Sequence, residues 1–477
     1  MARRPHTPCS RVRIRRLAVG LTVGAVAGSL GGCTVGAVWR ASRAPDTVRG
    51  ARAERLAAAR PDSSSCALPR TTAVAAGIAG PALDSLVAAA RRSDGDAFLV
   101  LRDGAIVVEE YRTPDGAEKR HSVQSIAKAL TTLTVGTLID DGTLRSLDQP
   151  LGDFFPAWRD GDRGRVTLRM LLSHTSGVAA GRGELQLRRR RDALAWALAQ
   201  PLAEPPGAVY RYNNVGNFLA GSAAAEAGGR SFGALAAERL FVPLCIDGAR
   251  WLGDEAGHTF TYGALLLRGR DLARIGQLAL DRGAWRGRQV VSAAYVNAVT
   301  QRDGGPRGGP LFNGGVATGW FVTSAWDSVT ADAAAVAAYA AAGRARGAPD
   351  SAVRALESTA GRRVARQTFL PVVARALGLT WRARSDADSL AARLVGLPMP
   401  ARVVGPSTAI LHDGSGGQFL TIYPRSRLVL VRLRRATMGM SERAGFPGWY
   451  AYGARLDSAA SRPPGGGPAS GGPPVPR

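Results

Sequence analysis

Only two lysines, Lys119 and Lys128, stand among the 62 Lys and Arg residues of the chain, so Arg fills nearly every cationic position. Lys128 follows Ser125 by three residues in HSVQSIAKAL, 121–130. Chance is one source of that spacing; chemistry is the other. An Arg side chain is never deprotonated in a protein, whereas a Lys amine shifts its pKa readily and can act as a base. A serine hydroxyl is a poor nucleophile until a neighbouring base takes its proton. Residues three apart on a helix share a face, which brings that amine and that hydroxyl within hydrogen-bond reach. A helix opening at or near Ser125 also supplies backbone N–H groups and a partial positive charge, both favourable to an oxyanion.

Two further clusters carry groups suited to the same chemistry. PPGAVYRYNNVGNFLAG contains Tyr212-Asn213-Asn214. A phenol relays a proton when nearby cations lower its pKa, and an Asn side chain offers both a donor and an acceptor for positioning. Taken singly, Tyr212 would be a packed tyrosine and Asn214 a loop residue. LHDGSGGQFL contains His412-Asp413-Gly414 ahead of a strand that begins near Gln418. Gly414 permits close backbone approach to a ligand, and an N–H beyond it is suited to complete an oxyanion hole.

These clusters need a scaffold. PALDSLVAAARRS, 81–93, has helical spacing. AFLVLR and AIVVEEYR are apolar strands joined by Asp103-Gly104, a strong hairpin signal. SIAKALTTLTVGTLIDDG predicts a long apolar helix that stops at Gly142. QFLTIYPRSRLVLVRLR, 418–434, predicts a second hairpin turning at Pro424–Arg427, and FPGWYAYGARLDSAA, 446–460, a last helix. Strands thus flank a largely helical middle. The expected class is α+β, with an antiparallel sheet built from the N- and C-terminal strands, flanking helices and a mostly helical second subdomain. Residues 327–396 are rich in Ala and Arg, with helical propensity broken near Gly347–Pro349, and are expected to form a helical insertion. Its place before the His412-Asp413-Gly414 strand predicts a wall or cap on the cleft; the alternative is a distant surface decoration.

The chain opens with a basic leader, ARRPHTPCSRVRIRR, and an apolar run, LAVGLTVGAVAGSLGG, the layout of an export signal. The closing LGGC resembles a bacterial lipoprotein signal, in which Cys33 would be lipidated and residues 1–33 form the signal with its lipobox. Arg15-Arg16 adds a weak twin-arginine hint; an uncleaved membrane anchor is the alternative. Either way the bulk is expected outside the cytoplasm, periplasmic or at the cell surface and anchored to the membrane. Residues 34–69 read as a tether, 70–460 as one folded unit, and 461–477 as a disordered Pro/Gly tail. Cys66 and Cys245 are an even pair in an oxidising compartment: they bond, or Cys245 is a small buried hydrophobe. The net charge of +25 taken alone would suggest nucleic acid or an anionic surface. Arg is, however, raised together with Ala, Gly and Pro and is scattered, so nucleic acid is set aside and Arg188–Arg191 is read as a solvated face. No His/Cys cluster has ligand spacing, so neither metal nor cofactor is expected.

In order along the chain, Ser125–Lys128, Tyr212–Asn214 and His412–Gly414 give S-x-x-K, Y-x-N and H-x-G. DGTLRSLDQPLGDFFP (141–156), VTLRMLLSHTSGV (166–178) and RDLARIGQLALDRGAWRGRQVV (270–291) accompany them. With these motifs the chain resembles the serine hydrolases related to class C β-lactamases and D-alanyl-D-alanine carboxypeptidases, over about 95–300 and 405–435. GGQFLTIYPRSRLVLV looks most like the branch of 6-aminohexanoate-dimer hydrolase and esterases. The resemblance implies a Ser125 acyl-enzyme, Lys128 and Tyr212 sharing the proton traffic, and an oxyanion hole from the N–H groups of Ser125 and Ser415. It implies that Asn214, His412, Gly414 and Ser415 bind a small ester, amide or peptide. His412 replaces the Lys of β-lactamases and is expected to bind or polarise substrate. The family uses the His174 loop structurally, and Trp320 in ATGWFV lines the cleft or joins the core. The block 327–396 departs from the family pattern and leaves the acyl-binding side open. A catalytically silent cell-wall or peptide binder on the same fold is the competing reading; intact Ser, Lys and Tyr argue against it.

Overall fold

The computed structural model describes residues 52–55, 66–179, 187–301, 316–324, 327–380, 390, 394, 396–398, 400–435, 446 and 448–461. Cys33, the segment read as an export signal and the 462–477 stretch of the tail lie outside them.

Strands β1 (Ala97–Arg102) and β2 (Ala105–Tyr111) meet at Asp103 and Gly104, whose φ angles are 50° and 79°. Positive φ at both central residues is the geometry of a type I′ hairpin, which Asp-Gly favours. Strands β3 (Val316–Ala317), β4 (Trp320–Ser324), β5 (Ser407–Gly414), β6 (Gln418–Tyr423) and β7 (Leu428–Leu433) complete a seven-stranded sheet. Its order is β2-β1-β7-β6-β5-β4-β3, and all neighbours are antiparallel. The N- and C-terminal hairpins therefore pair through β1 and β7, as expected.

Alternation along each strand divides the sheet into two faces. Leu99, Val431 and Leu420 stand in one cross-strand row that ends at His412. They pack on the helical body, including Leu272 and Ile275 of helix α4 below. The adjacent row of Phe98, Arg432, Phe419 and Asp413 faces the other way. There Phe98 and Phe419 meet Leu83 and Leu86 of α1 (Pro81–Arg92) and Trp449 and Leu456 of the last helix, α5 (Trp449–Ala460). Between them in sequence run α2 (Ala127–Asp140), α3 (Asn214–Gly228) and α4 (Gly269–Leu280). Every residue of α2 from Ala127 to Leu138 is buried. A helix buried on every side is a central one, and α2 forms the floor on which the site is built.

The stretch read as a tether contributes a strand, since Arg52–Arg55 pairs antiparallel with Arg250–Gly253. Cys66 and Cys245 are bonded, 179 residues apart in sequence. Chain-entropy arguments put the stabilisation from closing so long a loop at about 5 kcal/mol.

The insertion differs from its sequence reading in two respects. It contains the helices Ala333–Arg344, Asp350–Glu357 and Arg366–Ala376, with the expected break at Gly347. It also contains a three-stranded sheet of Asp327–Thr330, Arg363–Ala365 and Ala401–Val404, so the unit runs past residue 396. Val329, Tyr339, Leu356, Phe369 and Val373 give it a core of its own. Its attachment is also unlike the expectation. It is spliced between Ser324 and Ser407, which are cross-strand neighbours. Ser125 lies by the other end of β5, where Gly414 meets Val123 and Gln124, about 23 Å away at the usual strand rise. The position argument for a cap on the cleft therefore fails, because β5 reaches the site with its last residue and not its first.

Candidate active site

Ser125 sits in the single 3-10 turn Gln124–Ile126 that leads into α2. Lys128 then lies one turn further on, with 0% of its surface exposed. Its Nζ donates to Ser125 Oγ at 3.2 Å and to the Tyr262 carbonyl at 2.8 Å. The carbonyl fixes the amine against the serine, a contact no residue-type pattern announces. Gln124, just before the serine, has φ of 52°, and its side chain donates to Ser122 Oγ at 3.0 Å. A non-glycine residue in this region carries strain that its surroundings must hold.

Tyr212 precedes α3, and the phenol donates to Ser125 Oγ at 2.9 Å. Lys128 Nζ lies 4.8 Å from the centre of its ring. Asn213 makes this possible. Its side-chain oxygen accepts from the N–H groups of Val215 and Gly216, and its amide donates to the Val178 carbonyl at 2.6 Å. It is the N-cap of α3, and it fixes where the chain leaves Tyr212. Asn214 opens the helix, and its buried Oδ1 accepts no hydrogen bond from the described residues.

His174 stands behind Tyr212, ring centres 4.5 Å apart, and accepts the Asn213 N–H on Nδ1 at 3.1 Å. Burial, and then the charge on Lys128, hold this imidazole well below its usual pKa. It is a neutral ring with its proton on Nε2, and it braces the tyrosine rather than touching Ser125. The loop is structural here, as the resemblance implied.

The third motif arrives on β5. A Cβ at Gly414 would stand 2.4 Å from the Val123 carbonyl oxygen and 2.9 Å from Gln124 Cβ. The strand end is thus pressed against the turn that carries Ser125, a close approach open only to glycine. Ser415 follows at the exposed tip of the turn. His412 is 1% exposed, donates from Nδ1 to the Asp413 carbonyl at 2.8 Å, and has the Phe321 ring 5.1 Å from its own. Burial, with the Lys128 charge second, lowers its pKa to about 3. The ring is neutral at any ordinary pH. Trp320 is 1% exposed and belongs to the core. Phe321, its neighbour on the opposite side of β4, is the residue against His412.

Among the described residues one group has metal-like spacing, Asp192, Asp254 and His258, with ligand atoms within 4.8 Å of one another. Asp254 accepts the N–H groups of Ala193 and His258 as well as the His258 ring, and Asp192 caps the helix Ala193–Leu198. These bonds account for the group structurally. Arg189, Arg190 and Arg191 are exposed, as expected of a solvated face, whereas Arg188 is half-buried.

A serine held by both a buried amine and a phenol, on a helix leading into an α+β body, defines a class that known proteins share. The Beta-lactamase family matches residues 82–444, and the chain belongs to that family. The 6-aminohexanoate-dimer hydrolase of Paenarthrobacter ureafaciens is 28% identical over 222 residues, 43% of this chain and 56% of that protein. The chain thus spans a little over half the length of this curated relative. A candidate 6-aminohexanoate-dimer hydrolase from Bacillus anthracis has the same fold, with TM-score 0.57 and 16% identity over 88% of this chain and 93% of that one. A candidate β-lactamase from Bacteroides dorei aligns with TM-score 0.52 and 17% identity, over 79% of this chain and 98% of that one.

Proposed function

We propose that the protein is a serine hydrolase that opens an ester or amide through a Ser125 acyl-enzyme. The observation that carries this is the convergence of Lys128 Nζ and Tyr212 Oη on one oxygen, Ser125 Oγ, at 3.2 and 2.9 Å. With either partner deprotonated, the same contact takes the proton from the serine hydroxyl. Oγ then bonds to the carbonyl carbon, and the ester C–O or amide C–N bond breaks. The leaving group departs with the proton that Tyr212 or Lys128 returns to it. Water, losing a proton to the same pair, releases the acyl group and restores the serine. The N–H groups of Ser125 and Ser415 are the proposed donors to the oxyanion. Asn214 and His412 are the proposed contacts to the substrate, and the neutral imidazole would bind without adding charge.

The curated relative is named for 6-aminohexanoate dimer, so that amide belongs in a substrate panel with nitrophenyl esters, a chromogenic cephalosporin and D-Ala-D-Ala peptides. Fluorophosphonate labelling tests the nucleophile. The adduct is expected on Ser125 and absent in Ser125→Ala; labelling that persists in the variant overturns the assignment, and a protein that neither labels nor turns over any panel member is the silent binder instead. We also propose export and lipidation at Cys33, on the strength of LGGC closing an apolar run. Mass spectrometry of the mature N-terminus tests this; an intact leader or a free N-terminus downstream refutes it.

A further inference from the structure

The turn that carries Ser415 has the sequence Gly414-Ser415-Gly416-Gly417, and Gly416 and Gly417 have φ of 80° and 85°. No composition is looser, since glycine gives up the most conformational freedom on ordering. A hydrogen bond from the Gly417 N–H to the Gly414 carbonyl closes it at 3.2 Å. The β6 ladder begins only at Gln418, so the Gly417 carbonyl must be held from elsewhere.

It is held by a buried cation. Arg432 of β7 is 1% exposed, and its Nη1 donates to the Gly417 carbonyl at 2.5 Å. Its Nη2 donates to Asp94 at 2.7 Å, and Asp94 also pairs with Arg434. The guanidinium lies 5.8 Å from the centre of the Phe419 ring and 5.7 Å from that of Phe446. Burial pulls its pKa down to about 10, which still leaves it charged at neutral pH. A buried ion pair is a poor device for stability, because apolar side chains of similar volume generally do as well. One strong, charge-assisted bond to a carbonyl in a glycine turn has another use: it fixes the orientation of the peptides around it. Both flanks of the turn are tied too. Tyr450 donates to the Asp413 carboxylate, and the Gln418 side chain exchanges two hydrogen bonds with the Arg434 backbone at 2.9 and 3.0 Å. Arg432 is the one charged group acting on the turn's own backbone among these.

We infer that Arg432, held by Asp94, is a positioning residue that locks the Gly414–Gly417 turn so that the Ser415 N–H stands ready for the acyl oxygen. The inference rests on the serine-hydrolase reading above. Its test compares wild type with Arg432→Met, Arg432→Lys and Asp94→Asn, using p-nitrophenyl butyrate turnover, fluorophosphonate labelling rate and thermal unfolding. Arg432→Met is expected to lose about 10²-fold in kcat, with KM changed by less than about threefold, because the turn acts on the transition state. The labelling rate should fall in parallel, since phosphonylation builds charge on the same oxygen. Arg432→Lys should recover part of the loss, and Asp94→Asn should lose kcat by several-fold. A folded Arg432→Met with unchanged kcat overturns the inference. If Arg432→Met does not fold, Asp94→Asn decides: a fall in kcat at constant KM supports it, and wild-type kinetics overturn it. A wild type that shows neither turnover nor Ser125 labelling fails the hydrolase reading itself and takes the inference with it.

Discussion

Lys128 is the residue whose chemistry is hardest to replace. Its amine meets Ser125 Oγ at 3.2 Å from a site with no exposed surface, and the Tyr262 carbonyl holds it there. Lys128→Arg would keep a cation and lose a titratable amine, and a forked guanidinium does not fit where a single ammonium sits. Lys128→Arg is therefore expected to be nearly as damaging as Lys128→Ala, each about 10²- to 10⁴-fold in kcat/KM on a nitrophenyl ester. An Arg variant with near-wild-type rates would show that charge alone suffices. His412 makes a different demand. Its pKa of about 3 in the fold, against 6.5 in the unfolded chain, means that the unfolded state binds the extra proton between those values. Stability from the neutral ring is present in full above pH 6.5 and is lost progressively as pH falls toward 3. From pH 6.5 to 5 the loss is about 2 kcal/mol for this one group. Urea unfolding at the two pH values should show a smaller acid loss for His412→Gln than for wild type; equal losses would remove His412 as a source of acid sensitivity.

At the scale of elements, the site is a meeting of three chain ends: the turn before α2, the cap before α3 and the last residue of β5. The tightest of these contacts is Gly414 on the Val123 carbonyl, where a Cβ would stand 2.4 Å away. Backbone cannot yield as a flexible side chain can, so β5 must shift outward and carry the Ser415 N–H with it. Gly414→Ala is expected to lower kcat/KM about 100-fold, as misplacement by about 1 Å does elsewhere. Crystallography or hydrogen exchange of the variant should place the change at 412–417, and unaltered kinetics would mean the contact is slack. The three motifs and the two hairpins were legible in the sequence because each depends on residue type at short spacing: Asp-Gly for the turn, Ser and Lys one helical turn apart. Other parts were not. The Tyr262 carbonyl has no residue-type signature, since any residue there would offer one. The positive φ of Gln124 is imposed by packing and not by a glycine in the sequence. Trp320 was open between cleft and core; it is buried in the core, and the ring against His412 is that of Phe321, whose cross-strand partner is Leu411, a contact that strand alternation does not announce.

At the scale of the whole molecule, the question is what the 327–404 unit does to the site. The sequence places it just before the His412 motif, and nearness along the chain suggested a cap. Strand direction argues against it. β4 leaves α2 at Trp320 and runs outward to Ser324, and β5 returns from Ser407 to Gly414, so the unit departs from and rejoins the sheet at its outer end. Ser324 and Ser407 already face each other as cross-strand partners, which is the geometry a short hairpin loop spans. The unit also has its own core around Val329, Tyr339 and Phe369, so removing it uncovers little that the catalytic body needs. Replacing 325–406 by a short Asn-Gly loop should therefore yield a folded protein whose kcat/KM stays within about threefold of wild type for small and bulky esters alike. A selective gain for bulky esters would show instead that the unit folds back across the cleft and sets substrate size.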